Sequence, residues 1–235
     1  MDVAGYYDEY VHRQSAVGVN KRHRAILGWL QKLGMRPHHS VLELGCGIGT
    51  LTGLLAKELD SGGSVTAVDL SPASIEAAKR RMGALDNVRL LVADVIETDL
   101  EGSFDVVVLP DVIEHIPLER HSALFERVAS WVDPDGFVLL HYPSPHYQEW
   151  TRRYHQDRLQ IVDQTVHVDV LSSNAYPHGL YISHLETYSI WMREGDYVAV
   201  ALRPAGSPDA FTELPGRRVS PFTRIVGRLR ELSGE

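Results

Sequence analysis

Cysteine is nearly absent from this chain: one residue in 235, Cys46. An intrachain disulfide is therefore excluded, which fits a reducing compartment. Lysine is also scarce, 4 residues against 19 arginines, and bases are outnumbered, 23 Lys+Arg against 31 Asp+Glu, for a formal charge of −8. That balance disfavours long-range attraction to nucleic acid or to an anionic membrane, while leaving room for a local basic patch. Long apolar runs are missing too, and no window approaches the ~18 residues of a membrane span. The opening MDVAGYYDEY has neither the basic start nor the apolar stretch of a secretory leader. The expectation is a cytoplasmic protein with no membrane and no nucleic-acid partner.

Most of the chain is an alternation of strand-like and helix-like stretches. SVLELG (40–45), SVTAVDL (64–70), NVRLLVAD (87–94), FDVVVLPD (104–111) and GFVLLHYP (136–143) read as strands. TLTGLLAKEL (50–59), SPASIEAAKRRM (71–82) and LERHSALFERVASWV (118–132) read as helices, the second opened by a Ser cap and a first-turn Pro. The inner strands are continuous apolar runs, as expected when helices cover both faces of a parallel sheet. The pattern predicts an α/β, doubly wound sheet. Residues 180–204 read as an antiparallel hairpin around REGD, residues 1–36 as two helices, and the end as a short basic helix from about 221.

Three glycines stand at 45, 47 and 49, behind the first strand and ahead of a helix. Such a backbone allows close approach. A phosphate-binding P-loop would need Lys-Ser/Thr after its last glycine, and Ile48-Gly49-Thr50 offers none. A dinucleotide site would want G-x-G-x-x-G, whereas the spacing here is G-x-G-x-G. A nucleoside-bearing ligand without phosphate is the third reading. Acids close the first three strands, Glu43, Asp69 and Asp94, and all three fall on the edge where open α/β sheets bind ligands. Asp69 lies where a carboxylate can accept hydrogen bonds from ribose.

VLELGCGIGT, VTAVDLSPASIEAAKRR, LVADVIE, FDVVVLPDVIEHIP and VDPDGFVLLHYPS, in this order and spacing, resemble the successive motifs of the class I S-adenosylmethionine-dependent methyltransferases. The resemblance covers about 40–145. It implies a mostly parallel seven-stranded Rossmann-like sheet with a reversed last strand, and S-adenosyl-L-methionine as cofactor. It places Glu43, Gly45 and Gly47 at the methionine end, Asp69 on ribose, Leu70 against adenine, Asp94 and Val95 at the adenine edge, and Pro110 with Asp111 beside the sulfonium. It divides the chain into an N-terminal helical lid (1–36), a methyltransferase domain (37–204) with an acceptor-pocket insert (143–178), and a C-terminal linker and short helix (205–235).

Methyl transfer from a sulfonium needs little beyond alignment and exclusion of water, and alignment alone can supply roughly 7–11 kcal/mol. A hydroxyl or ammonium acceptor must also lose a proton. His115, in DVIEHIP, is the candidate base, with a pocket-wall role as the alternative. Asp111 and His141 are the other candidate catalytic residues. Tyr7 is a candidate donor contact from the lid; Tyr6, Arg13, Gln14 and Tyr142 are candidate acceptor contacts. Twelve histidines raise the question of metal, but no zinc-ligand spacing occurs, and none is expected. The expected activity is methyl transfer to a small molecule, with O-methylation favoured. N-methylation of an amine or protein side chain is one alternative; a catalytically silent donor-binding regulatory partner is the other. A homodimer is the assembly to test.

Overall fold

The computed structural model describes residues 18–83 and 85–206. The helix expected before 21 and the one expected from 221 lie outside the described residues. The first described helix, α1 (Lys21–Leu33), starts at a reciprocal cap: Asn20 Oδ1 accepts from Arg22 N (2.9 Å) and His23 N (3.3 Å), while His23 Nδ1 accepts from Asn20 N. Such a cap contributes about 1 kcal/mol. The helix ends at Gly34 in a left-handed conformation.

There follow β1 (Ser40–Leu44), α2 (Thr52–Glu58), β2 (Ser64–Asp69), α3 (Pro72–Met82), β3 (Val88–Val92) and β4 (Phe104–Pro110). Next come α4 (His121–Trp131), β5 (Val132–Pro143), α5 (Pro145–Tyr154), α6 (Val168–Ala175), β6 (Leu180–Tyr188) and β7 (Tyr197–Pro204). The strands form one seven-stranded sheet in the order β3-β2-β1-β4-β5-β7-β6. β1 to β5 pair in parallel, and β7 runs antiparallel to both β5 and β6.

Side-chain alternation explains the apolar runs. Along β4, Val107 and Leu109 join Leu42, Leu44, Val138 and Leu140 on one face, under Leu124, Phe125 and Val128 of α4 and Leu171 of α6. Val106 and Val108 join Val41, Val65, Ala67 and Leu139 on the other, under Ile26 and Leu30 of α1, Leu55 of α2 and Ile75 of α3. Each side needs its own apolar set, so every second residue cannot be polar. The sheet is the middle of three layers, and the carboxyl ends of β1 to β5 open on one rim.

The expected elements fall where the pattern places them, with local differences. Ser71 caps α3 by accepting from Ser74 N at 3.0 Å, with Pro72 leading the helix. α4 begins at His121, because Leu118–Arg120 form a tighter 3₁₀ turn. β5 begins at Val132 and not at 136: its pairing with β4 jumps from Phe104↔Val132 to Val106↔Phe137. The DPDG turn is thus absorbed as a bulge, and Gly136 lies so near β4 that a Cβ there would meet the Asp105 carbonyl at 2.6 Å. The insert after β5 holds two helices, α5 and α6.

Gly45 has φ +76°, and a Cβ there would stand 2.2 Å from Val112 Cγ2. Gly179 has φ +75° with nothing within 4 Å of that position. Gly179→Ala should therefore carry only the left-handed strain, about 1–2 kcal/mol. Gly45→Ala should add an overpacking cost of about 1–3 kcal/mol. Urea unfolding of the two variants measures the difference, and equal losses would contradict the close contact.

Candidate functional site

The turn after β1 is built by hydrogen bonds to its neighbours. Gly45 N and Cys46 N both donate to the Val68 carbonyl of β2, at 2.8 and 2.9 Å. Asp69, at the end of β2, accepts from Gly47 N through Oδ2 (2.7 Å) and from Ser71 N through Oδ1 (2.9 Å). One carboxylate thus joins the glycine turn to the start of α3. All three glycines have positive φ, and Gly49 also lets α3 approach, since a Cβ there would lie 3.2 Å from that of Ala78. Asp94 accepts from Ile96 N at 2.8 Å and faces Arg120 Nη1 at 3.8 Å.

These ends surround a cavity of about 610 Å³. Its wall holds Glu43, Gly45, Gly47, Asp69, Leu70, Asp94, Val95 and Pro110, every described residue expected to hold the donor. Tyr7 lies outside the described residues, as do Tyr6, Arg13 and Gln14. Glu43 is buried, with its Oε2 accepting from the Thr52 hydroxyl at 2.6 Å. Burial pushes its carboxyl up to about 8, against the Thr52 hydrogen bond and with a smaller push from Asp69. Glu43 is therefore mostly protonated at neutral pH.

After β4 stands Asp111, the one non-glycine with positive φ (+54°) among the described residues. Its backbone N–H donates to the His141 carbonyl at 2.7 Å. Arg22 Nε lies 3.0 Å from Asp111 Oδ2, an ion pair whose N–H is not aligned as a hydrogen bond. His141 Nδ1 lies 3.2 Å from Oδ1, and His141 Nε2 lies 2.7 Å from the Tyr188 hydroxyl. Burial pushes Asp111 up, but Arg22 and His141 outweigh it and hold the carboxyl below its ordinary range. Its neighbour Glu114 goes the other way: buried, close to the Asp111 charge, and with Oε2 unpartnered among the described residues, it is raised well above the usual carboxylate range.

His115 lines the cavity, and its Nδ1 lies 2.7 Å from the Val162 carbonyl. A carbonyl can only accept, so Nδ1 carries the proton and Nε2 the lone pair. Burial lowers its pKa, opposed by Asp163 and the Val162 bond, which keeps the ring neutral at pH 7.

Two of the expected contacts belong elsewhere. His141 is 0% exposed and does not line the cavity; it stands behind Asp111. Tyr142 is not an acceptor contact: it is 1% exposed and packs in the core on the α4 face of the sheet. Successive strand residues point to opposite sides, and the end of β5 gives neither of them to the cavity. From the insert, Gln160 and Val162 reach the cavity, whereas Arg152 is held by Thr165 Oγ1 and the Asp163 carbonyl, both at 2.8 Å. Among the described residues no group of three or more His, Cys, Asp or Glu could hold a metal ion, and no helix is long and apolar enough to cross a membrane.

Sequence reasoning missed Arg22, His23, Gln160 and Trp191, all in the cavity wall. Trp191 is set there by Asp196, whose carboxylate accepts from Ile190 N (2.7 Å) and Trp191 N (2.9 Å). The Asn20 cap was the available signal for Arg22, because it fixes which residues open α1.

A family model described as "Methyltransferase domain" matches residues 41–136. The probable cobalt-precorrin-6B C(15)-methyltransferase (decarboxylating) of Thermoplasma acidophilum is 31% identical over 142 residues, covering 59% of this chain and 67% of that one. (S)-Coclaurine N-methyltransferase of Thalictrum flavum subsp. glaucum is 28% identical over 138 residues, and the match covers 57% of this chain but 36% of that one. Among solved structures, a DhpI–SAH complex aligns with TM-score 0.65 and 25% identity, over 86% of this chain and 95% of that one. Sheet order, glycine turn and strand-end acids agree with these matches, and the chain belongs to the class I S-adenosylmethionine-dependent methyltransferases.

Proposed function

We propose that this chain transfers a methyl group from S-adenosylmethionine to a hydroxyl of a small molecule. The cavity wall fits the donor. Glu43, Gly45 and Gly47 would hold its methionine end, Asp69 its ribose, and Leu70, Asp94 and Val95 its adenine. The donor supplies an activated methyl: the carbon–sulfur bond breaks with its electron pair going to sulfur, while an acceptor lone pair forms the new bond.

The observation that carries the choice of oxygen is His115. A neutral imidazole with its lone pair on Nε2, in the wall near Pro110 and Asp111, can take the hydroxyl proton as the oxygen attacks. The apolar side chains of Val112, Ile116 and Val162 beside it limit water at that end. N-methylation has a specific observation in its favour as well. Asp111 is an ionised carboxylate, which would stabilise an ammonium, and (S)-coclaurine N-methyltransferase is a relative. A donor-binding protein without turnover remains the reading to which no product corresponds.

Incubation with the donor and a panel of phenols and alkylamines, scored by S-adenosylhomocysteine release, separates these readings. Turnover on hydroxyl acceptors, reduced roughly 10²–10⁴-fold by His115→Ala with donor affinity kept, is the expected result. Turnover on amines alone would replace oxygen by nitrogen.

Asp69→Ala should weaken donor binding by about 1–3 kcal/mol in calorimetry, because charge-assisted hydrogen bonds are lost. Unchanged affinity would remove Asp69 from the site.

Glu43 sets a pH dependence. With its folded pKa raised from 4.5 to about 8, the empty protein holds an extra proton between those values. That proton's stabilising contribution is present at low pH and fades as pH rises through about 8. A cationic donor beside Glu43 favours the carboxylate, so binding at pH 7 should release up to about one proton, and affinity should rise towards pH 8. Calorimetry in two buffers of different ionisation enthalpy reads the release; Glu43→Gln should abolish it.

A further inference from the structure

The ion pair and hydrogen bonds around Asp111 have one direction. Because Asp111 is paired with Arg22, its Oδ1 accepts the His141 Nδ1–H, which leaves the lone pair of His141 on Nε2. The Tyr188 hydroxyl, 2.7 Å away, then donates to Nε2. Tyr188 is in turn braced edge-on by Trp29 of α1, with ring centroids 5.6 Å apart, and His141 is stacked on Tyr197 at 4.7 Å. Tyr197 also stands beside Arg22. An ion pair from α1 and a hydrogen bond from β5, itself backed by Tyr188 of β6, thus meet on one carboxylate held at positive φ in the cavity wall. Arg22, His141 and Tyr188 all come from outside the segment that matches the family model, residues 41–136.

We infer that Arg22 and Tyr188 are positioning residues: Arg22 directly, and Tyr188 through His141, fix Asp111 as an ionised carboxylate facing the positive charge that passes from donor sulfonium to acceptor. This rests on the reading of the cavity as the donor site. A carboxylate with both oxygens engaged is a poor base and a good fixed counter-charge. It stabilises the methylated acceptor while that group still carries its proton, and the proton itself would leave to His115. Burying such a charge is costly unless partners meet it, and a strained backbone at Asp111 persists only where surrounding contacts enforce it.

The test reads binding, so it needs no acceptor. S-adenosylmethionine carries the sulfonium charge and S-adenosylhomocysteine does not, so the ratio of their affinities reports the counter-charge while the second ligand monitors the fold of the site. The groups facing Asp111 are Arg22 and His23 from α1, Glu114 and His115 from the turn after β4, His141 from β5, Tyr188 from β6 and Tyr197 from β7. Burial holds His23 down at about 4 and Glu114 in its protonated form, so both stay neutral near pH 6.

In the full chain, Asp111→Asn should lower the affinity ratio about tenfold at pH 7 and make it flat between about pH 4.5 and 6.5. In the unsubstituted protein the ratio should hold down to about pH 4.5, because Asp111 stays ionised. Tyr188→Phe should move the acid limb up by about half a pH unit or more, and Arg22→Met should bring it into that window, with S-adenosylhomocysteine affinity within about threefold. Arg22→Lys should restore the limb to its original place. ¹⁵N NMR of His141 should report the Nδ1–H tautomer, disturbed in Tyr188→Phe. A ratio insensitive to Asp111→Asn, limbs that do not move, or parallel loss of both ligands in the variants would overturn the inference. Absence of binding by either ligand to the unsubstituted protein would instead overturn the reading of the cavity as a donor site.

Discussion

The site depends on one carboxylate that faces two backbone segments at once. Asp69 accepts from Gly47 N at 2.7 Å and from Ser71 N at 2.9 Å, so the end of β2 fixes both the glycine turn and the residue that caps α3. Hydrogen bonds from backbone N–H to an ionised acceptor are among the stronger ones in a protein. Without that acceptor, the Gly47 amide would face a cavity with no fixed partner and the turn could relax. Gly45 N and Cys46 N, both donating to the Val68 carbonyl, tie the same turn to the same strand. The donor end is therefore rigid because the backbone is held there by β2, and glycine is needed because that holding demands positive φ at 45, 47 and 49.

The acids of the cavity show how burial and partners set charge separately. Glu43 is buried with a neutral hydroxyl for a partner and is pushed up to about 8. Asp111 is buried with an arginine and a histidine for partners and is held low. Glu114, three residues on, has the Asp111 charge as a neighbour and is raised. Two adjacent buried carboxylates cannot both ionise cheaply, and Arg22 decides which one does. The result is a graded wall: a proton-bearing acid at Glu43, a fixed charge at Asp111, and a neutral histidine beside it.

The fold was legible in the sequence because both faces of the sheet need apolar residues. Runs such as Val106–Leu109 could only be inner strands, and the Ser71-Pro72 pair could only open a helix. The strand-end acids and glycines were legible because their spacing is set by local geometry. The β5 bulge was not, since DPDG suits a free turn as well as a bulge, and only the closeness of Asp105 to Gly136 chooses between them. Tyr142 was misread because the side to which a residue at a strand end points depends on the register with β4 and β7, which no single strand reveals.

Donor and acceptor ends differ in how far apart their residues lie in the chain. The wall proposed for the donor is drawn from short stretches between Glu43 and Pro110, within the segment that matches the family model. The other end is drawn from Arg22 and His23 before it, and from Gln160, Val162 and Trp191 after it. Those residues meet only because α1 packs on the sheet through Ile26 and Leu30, and because Asp196 folds the β6–β7 connection back. Local motifs encode contacts between neighbours in sequence, so they report the donor. The rest of the wall is specified by long-range packing, which is why the chemistry of an acceptor has to be sought in the charges that packing brings together, above all the pairing of Arg22 with Asp111.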